Sequence, residues 1–427
     1  MSALNVVSAS SGSAGNAGMS KDRLQRIEDH LARNYVGPGR FSGTHTLVYR
    51  RGQIVHSGVQ GFADVERNVA VKDDTIYRIY SMTKPITSVA FMMLVEEGRV
   101  ALDEPVAKYI PEWRNLGVYV GGMPMLGPVP DVAPKFLTTP TARPMQIVDL
   151  LRHTSGLTYG FQNRTAVDAA YRTMKVGEIG LDGTLDDMIA SLAAIPLEFS
   201  PGEAWNYSVA TDVLGYLVGR ISGMPFEQFL KQRIFDPLGM TDTGFHVPPE
   251  KAHRLAACYV VDGKGGKTLQ DDPETSPFLK APSFVSGGGG LVSTTADYLK
   301  FCRMLLGRGA LGEARLLSPK TLALMTANHL PGNKTLPELS RSLFSEATYD
   351  GVGFGLGFAV TMEPSRTMIP GSRGEFWWGG AATTSFWIDP AEDMAVVFMT
   401  QCLPSAAYPV RRELRTLVYS AMTESNL

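Results

Sequence analysis

Within "YSMTKPIT", residues 80–87, Ser81 stands three positions before Lys84, in the only Ser-x-x-Lys of the chain. On a helix, positions three apart share a face, so a hydroxyl and an amine placed this way can meet. A helix N-terminus carries partial positive charge, which favours an oxyanion and disfavours an ammonium. Burial disfavours the charged amine further, so Lys84 is suited to take the serine proton. Pro85 in the first turn costs little, because amides there have no helical partner. The competing reading is a capping serine beside a surface lysine.

Two further segments carry chemistry in their residue types. Tyr207, in "PGEAWNYSVATDVLGY", stands directly before a helical pattern, and a tyrosine beside a Ser/Lys pair can act as general base and then general acid. Otherwise it is an ordinary buried aromatic. In Trp377-Trp378-Gly379-Gly380-Ala381 two glycines follow paired tryptophans within a strand pattern, which permits close approach of another backbone or a ligand. An edge strand there can present the Ala381 amide, with the Ser81 amide, as an oxyanion hole. The plainer alternative is a bulged strand with core tryptophans.

The elements that must position these residues follow from periodicity. Leu24, Ile27 and Leu31 predict a first helix over Lys21 to Tyr35. Two β-rich runs around Arg51-Gly52 predict a hairpin. Ile86, Val89, Ala90, Met93 and Leu94 mark a core helix from Thr83 to Glu97, stopped by Gly98. Residues from about 101 to 248 read mostly as helices and loops, with a Gly/Pro-rich segment from Gly117 to Pro134 and a helix after Tyr207. A glycine run then leads into the helix of "STTADYLKFCRMLL". The chain ends in strands ("EFWWGG", "TTSFWID", "MAVVFMT") and a helix from about Ala406 to Met422.

Strands at both ends and helices between them predict an α+β fold of the α/β sandwich type. One antiparallel sheet, built from N- and C-terminal strands and flanked by helices, would carry an inserted helical subdomain. Residues 19–427 then form one unit, with an α/β part (about 19–100 and 249–427) and a helical part (about 101–248). The first 18 residues are small and polar and read as a disordered tail, with Met19 as an alternative start. They lack the basic start and apolar stretch of an export signal.

Composition narrows the partners. Of 427 residues 44% are hydrophobic and 19% charged, ordinary for a globular chain. A net charge of −2 without a dense basic run points to neither a nucleic-acid nor a membrane-surface partner. No run of 18 apolar residues predicts a membrane span. The cysteines Cys258, Cys302 and Cys402 are far apart, show no metal-ligand spacing and fit a reducing compartment. A cytoplasmic location is expected.

Ser-x-x-Lys, then tyrosine, then an aromatic-Gly-Gly strand resembles the serine β-lactamase and penicillin-binding-protein superfamily. More closely the chain resembles the family VIII carboxylesterases, which share the class C β-lactamase fold. The blocks "YRIYSMTKPITSVAFMMLVEEGRVALDEPVAKYIPEW", "LLRHTSGL", "PGEAWNYS", "FDPLGMTDTGF" and "GGGGLVSTTADYLKF" carry the resemblance in order, from about Lys21 to the C-terminus. It implies Ser81 as acylated nucleophile, Lys84 and Tyr207 as its base partners, and the Ala381 and Ser81 amides as oxyanion donors. No metal or organic cofactor is implied, and the expected partner is a small-molecule ester.

Departures from the β-lactamase pattern bear on the substrate. Tyr207-Ser208-Val209 replaces Tyr-x-Asn, and Trp378-Gly379-Gly380 replaces Lys-Thr-Gly. With Val209, Trp378, Gly379 and Gly380 as substrate contacts, the site lacks an amide and a cation that β-lactams use, which favours neutral short-chain esters. Arg373 is a candidate replacement for the cation. The rivals are a β-lactamase or D-amino-acid peptidase, an acyltransferase, and a silent binding protein on the same scaffold. Gly351-Val-Gly-Phe-Gly-Leu-Gly leads into a strand pattern rather than a helix, so it is not a phosphate loop. His153 is set aside as a base, and no Gly-x-Ser-x-Gly of an α/β-hydrolase occurs.

Overall fold

The computed structural model describes residues 13–121, 136–180, 182–262, 265–341 and 349–427. Its frame is an eight-stranded sheet. The strands are β1 (Gly43–Arg50), β2 (Gln53–Asp64), β3 (Val69–Ala70), β4 (Val352–Phe354), β5 (Ala359–Thr361), β6 (Phe376–Gly379), β7 (Ser385–Asp389) and β8 (Met394–Met399). Their spatial order is β4-β5-β6-β7-β8-β1-β2-β3. All neighbours are antiparallel, and β1 from one end of the chain pairs with β8 from the other, His45 opposite Met399. The α+β class expected from the sequence is the one observed. Arg51 and Gly52, both at positive φ, form the two-residue turn between β1 and β2 that matches strand twist.

Helices cover both faces. Helix α1 (Lys21–Leu31) and the C-terminal helix α5 (Val410–Ser420) lie on one, while α2 (Thr83–Glu96) and α4 (Thr295–Leu306) lie on the other. Strand β8 shows why its sequence is an unbroken apolar run. Met394, Val396 and Phe398 join the cluster of Leu24, Leu31 and Leu414, and Ala395, Val397 and Met399 join the larger core with α2.

The core helix α2 is more deeply set than one apolar stripe predicts, being buried continuously from Thr83 to Leu94. Its polar residues need partners, and the glycine run at 287–290 supplies them. Thr87 Oγ1 donates to Gly287 O at 2.8 Å, and the Leu291 amide donates to Thr83 Oγ1 at 3.2 Å. Helix α3 (Ala210–Ser222) packs against α2 within the same apolar cluster, so the inserted helices share a core with the sheet.

Two sequence expectations need correction and one needs refinement. Residues 13–18 are not a disordered tail (residues 1–12 lie outside the described part). Ser13–Asn16 form a helical turn, and Ala14 and Ala17 are buried. The buried Arg50 donates to Ala17 O at 3.1 Å and Gly18 O at 2.9 Å, and pairs with Glu392 at 2.7 Å. Second, the stretch from 101 to 248, expected to be mostly helix and loop, is so but also holds one short ladder, Val118–Gly121 with Leu137–Thr139; residues 122–135, most of the Gly/Pro-rich segment, lie outside the described residues. Third, β6 is not an edge strand but runs between β5 and β7. Its pairing with β5 ends at Trp377, however, so Trp378 and Gly379 face a gap in the ladder on that side. Within the glycine-rich run at 351–357, Val352–Phe354 form strand β4.

Among the described residues no helix is long and apolar enough to cross a membrane, and no group of His, Cys, Asp and Glu could hold a metal ion.

Candidate active site

Ser81 lies in a single 3-10 turn, Tyr80–Met82, immediately ahead of α2. Tyr80 before it adopts φ +42°, a left-handed conformation that is costly for a non-glycine residue and clusters at functional sites. The capping alternative fails on both counts: α2 has no side-chain cap, and Lys84 is only 2% exposed. Lys84 Nζ sits 3.3 Å from Ser81 Oγ and donates to the Gly288 carbonyl at 2.7 Å. Two aromatic faces complete its surroundings, Tyr207 at 4.6 Å and Tyr159 at 5.2 Å from ring centroid to amine.

Tyr207 is therefore against the pair despite 123 residues of separation in "YSMTK…WNYS". Its hydroxyl accepts a hydrogen bond from Trp378 Nε1 at 3.2 Å, which fixes the ring toward β6. Behind it stands His153, whose ring centroid is 5.1 Å from that of Tyr207 and whose Nδ1 lies 3.2 Å from Ser208 Oγ. Burial, aided by the Lys84 charge, holds the His153 imidazole well below its usual pKa. A neutral, enclosed His153 supports the Tyr207 ring and does not reach Ser81.

The end of β6 forms the facing wall. A Cβ at Gly380 would lie 2.4 Å from Ile79 O, so only glycine lets this strand pass so close to the turn that carries Ser81. Arg411, from α5, donates through Nη2 to Gly380 O at 2.7 Å and to Thr384 O at 2.9 Å. Gly380 C=O and Ala381 N–H belong to one planar trans peptide, so they point in opposite directions. Holding the carbonyl toward Arg411 therefore turns the Ala381 amide away from it. Arg415 braces the same strand by pairing with the buried Glu375 and by lying over the rings of Trp377 and Trp387 at 4.7 and 5.4 Å.

These walls bound a cleft of about 1310 Å³ that Ser81, Tyr207, Trp378, Gly379, Gly380 and Ala381 all line. Val209 does not line it. The expectation that this residue meets substrate is wrong, because its side chain is fully buried at the start of α3 and turned toward Gly177. Arg373 is exposed and outside the lining, so it does not replace the missing cation either. The arginines that do line the cleft are Arg411, Arg412 and Arg415 of α5 and, from the helical part, Arg172.

Sequence reasoning missed Arg411 and also Asp212. The Asp212 carboxylate accepts from Ser286 Oγ at 2.5 Å and from the Gly288 amide at 2.9 Å, which anchors the loop whose carbonyl holds Lys84. Burial raises the Asp212 pKa, and the Lys84 charge pulls it back. Its position five residues after Tyr207, one turn into α3, was the available signal.

Residues 29–420 match the Beta-lactamase family. Protein Rv1367c of Mycobacterium tuberculosis is 37% identical over 376 residues, 87% of this chain and 88% of that protein. Esterase EstB of Burkholderia gladioli is 31% identical over 417 residues, 93% of this chain and 95% of the other. Among solved structures, EstCE1, described as a hydrolase with promiscuous acyltransferase activity, superposes with a TM-score of 0.75 at 25% identity, over 93% of this chain and 98% of its own. This chain belongs to the Beta-lactamase family, on the side of its family VIII-like esterases.

Proposed function

We propose that the protein is a serine carboxylesterase that hydrolyses short-chain carboxylic esters through an acyl-enzyme on Ser81. The observation that carries this reading is the contact set around one hydroxyl: Lys84 Nζ at 3.3 Å from Ser81 Oγ and over the Tyr207 ring, with the Tyr207 hydroxyl tied to Trp378 at the cleft wall. Ser81 Oγ attacks the ester carbonyl carbon while its proton passes to the Lys84–Tyr207 pair. The carbonyl oxygen, now anionic, takes hydrogen bonds from the Ala381 and Ser81 amides. The C–O bond to the alcohol breaks, and Tyr207 returns the proton to the leaving oxygen. Water repeats the sequence on the acyl-enzyme and frees the acid.

Ester rather than β-lactam chemistry is supported by the residue at 378. Where a β-lactamase carries a cation, an indole is 8% exposed and committed to Tyr207. The similarity to Esterase EstB supports the same substrate class. A second reading, transfer of the acyl group to an alcohol instead of water, is favoured by a cleft roomy enough for both reactants, about 1310 Å³.

The test is a panel of p-nitrophenyl esters assayed beside nitrocefin, with wild type and Ser81→Ala. Loss of one charged hydrogen bond is worth roughly tenfold to more than a hundredfold, so kcat/KM for a short ester should exceed that for nitrocefin by about two decades. Both activities should vanish in Ser81→Ala. A preference for nitrocefin over every ester would replace the esterase reading with a β-lactamase.

A further inference from the structure

One wall of the cleft has no part in the proton or oxyanion chemistry. The segment Val176-Gly-Glu-Ile-Gly180 closes the cleft beside Gly288 and Gly289 and is seated at both ends. At Gly177 a Cβ would lie 2.8 Å from Val209 Cγ1, so the glycine lets the backbone settle onto the buried Val209 side chain. At Gly180 the corresponding position lies 3.4 Å from the Pro277 ring. Between these two seats Ile179 packs against the small apolar cluster containing Phe278 and Val292 and reaches over Gly289. A Cβ at Gly289 would be 2.9 Å from Ile179 Cδ1 and 3.8 Å from the Tyr80 carbonyl carbon, one residue from the nucleophile.

The direction of the substrate follows from the groups already placed, and the inference rests on the esterase reading. Around the tetrahedral carbon on Ser81 Oγ, the oxyanion points to Ala381 and the leaving oxygen to the Tyr207 hydroxyl. That hydroxyl is held by Trp378, so both polar substituents lie toward the β6 wall. The acyl chain is left with lining groups off β6, and Gly289 and Ile179, beside Tyr80, are the ones placed next to Ser81. We infer that Ile179, seated by Val209 and Pro277, is the stop that limits acyl-chain length, so that the preferred esters join a short acyl group to a larger alcohol. Val209 thereby has a use that its sequence position did not suggest: it seats the stop instead of touching substrate.

The experiment compares p-nitrophenyl butyrate with p-nitrophenyl octanoate for wild type, Ile179→Ala, Ile179→Val, Gly289→Ala and the double variant Ile179→Ala/Gly289→Ala. A few methylenes admitted or excluded by an apolar pocket change kcat/KM by roughly 10–200-fold. Ile179→Ala should raise the octanoate-to-butyrate ratio by at least about tenfold on that scale, and Ile179→Val should move it the same way by less. Gly289→Ala, which crowds the isoleucine, should lower the ratio, and the double variant should return to the Ile179→Ala value. A parallel series of phenyl and 1-naphthyl acetates varies the alcohol and should keep its ratio in all four variants. An unchanged octanoate ratio, additive effects in the double variant, or a shift in the alcohol series instead would each overturn the stop. Ester hydrolysis that survives Ser81→Ala would instead overturn the esterase reading, so the two failures are distinguishable.

Discussion

The two walls that meet at Ser81 are held by different means. On the helix side, Lys84, Thr87 and Asp212 are buried polar groups fixed by backbone carbonyls and amides of the glycine run at 287–290. On the β6 side the strand carries no charge at its working end and is braced from outside by Arg411 and Arg415 of α5. In the proposed mechanism the first wall handles protons, so its side chains must be exact in position and enclosed. In the same mechanism the second offers a backbone amide, so what must be fixed is the plane of one peptide. That difference predicts different penalties for breaking each wall.

The largest losses should come from the helix side. Lys84→Ala and Tyr207→Phe should each lower kcat by about 10²–10⁴, the usual range for a general acid-base group. Combined, they should cost far less than the product of the single losses, because both act on one proton path. Steady-state kinetics of the three variants checks this, and a Tyr207→Phe enzyme retaining more than about a tenth of wild-type kcat, a loss below that range, excludes a tyrosine base.

On the β6 side, Arg411→Met frees the Gly380 carbonyl without removing any reacting group. One oxyanion donor is worth about 10²–10³ in kcat. Loosening rather than deleting it should cost less, about tenfold, chiefly in kcat. Arg411→Lys should recover part of that loss, and affinity for a boronic acid that mimics the tetrahedral state should fall in step with kcat/KM. If KM alone rises, Arg411 belongs to substrate binding.

How much of each wall was legible in the sequence follows the same division. Ser81 and Lys84 could be read because three-residue spacing on a helix is a local rule, and Tyr207 because its flanking block is characteristic. Arg411 and Gly288 could not be read, since they act on residues 31 and 204 positions away through backbone contacts that any arginine or glycine could make. Val209 was misjudged because the residue two after Tyr207 can face the cleft or the core, and only its packing on Gly177 decides. The fold was legible in its apolar periods, while the ordering of residues 13–18 was not, because Arg50 and the C-terminal segment hold them from afar.

Smaller effects sharpen the comparison. Trp378→Phe keeps an aromatic ring but removes the indole bond to Tyr207, and loss of that neutral hydrogen bond, about 0.5–1.5 kcal/mol, should lower kcat roughly two- to tenfold. Outside both walls, His45 is buried with its pKa lowered to about 4, mainly by burial, with Glu28 opposing and His56 assisting. Since the unfolded chain binds this proton near pH 6.5, its stability contribution is complete above that pH. It is lost as pH falls toward 4, by on the order of 3 kcal/mol. Thermal melts across that window should show the decline, and His45→Phe should flatten it. An equally steep decline in His45→Phe assigns the acid sensitivity elsewhere.

The central claim is that Ser81 carries the acyl group. Its most direct test is rapid acid quench of the enzyme turning over p-nitrophenyl butyrate, followed by intact-mass and peptide mass spectrometry. A single butyryl adduct should appear on the peptide containing Ser81, absent from Ser81→Ala and persisting longer in Tyr207→Phe. A butyryl group on any other serine, or an adduct that survives Ser81→Ala, would contradict the account.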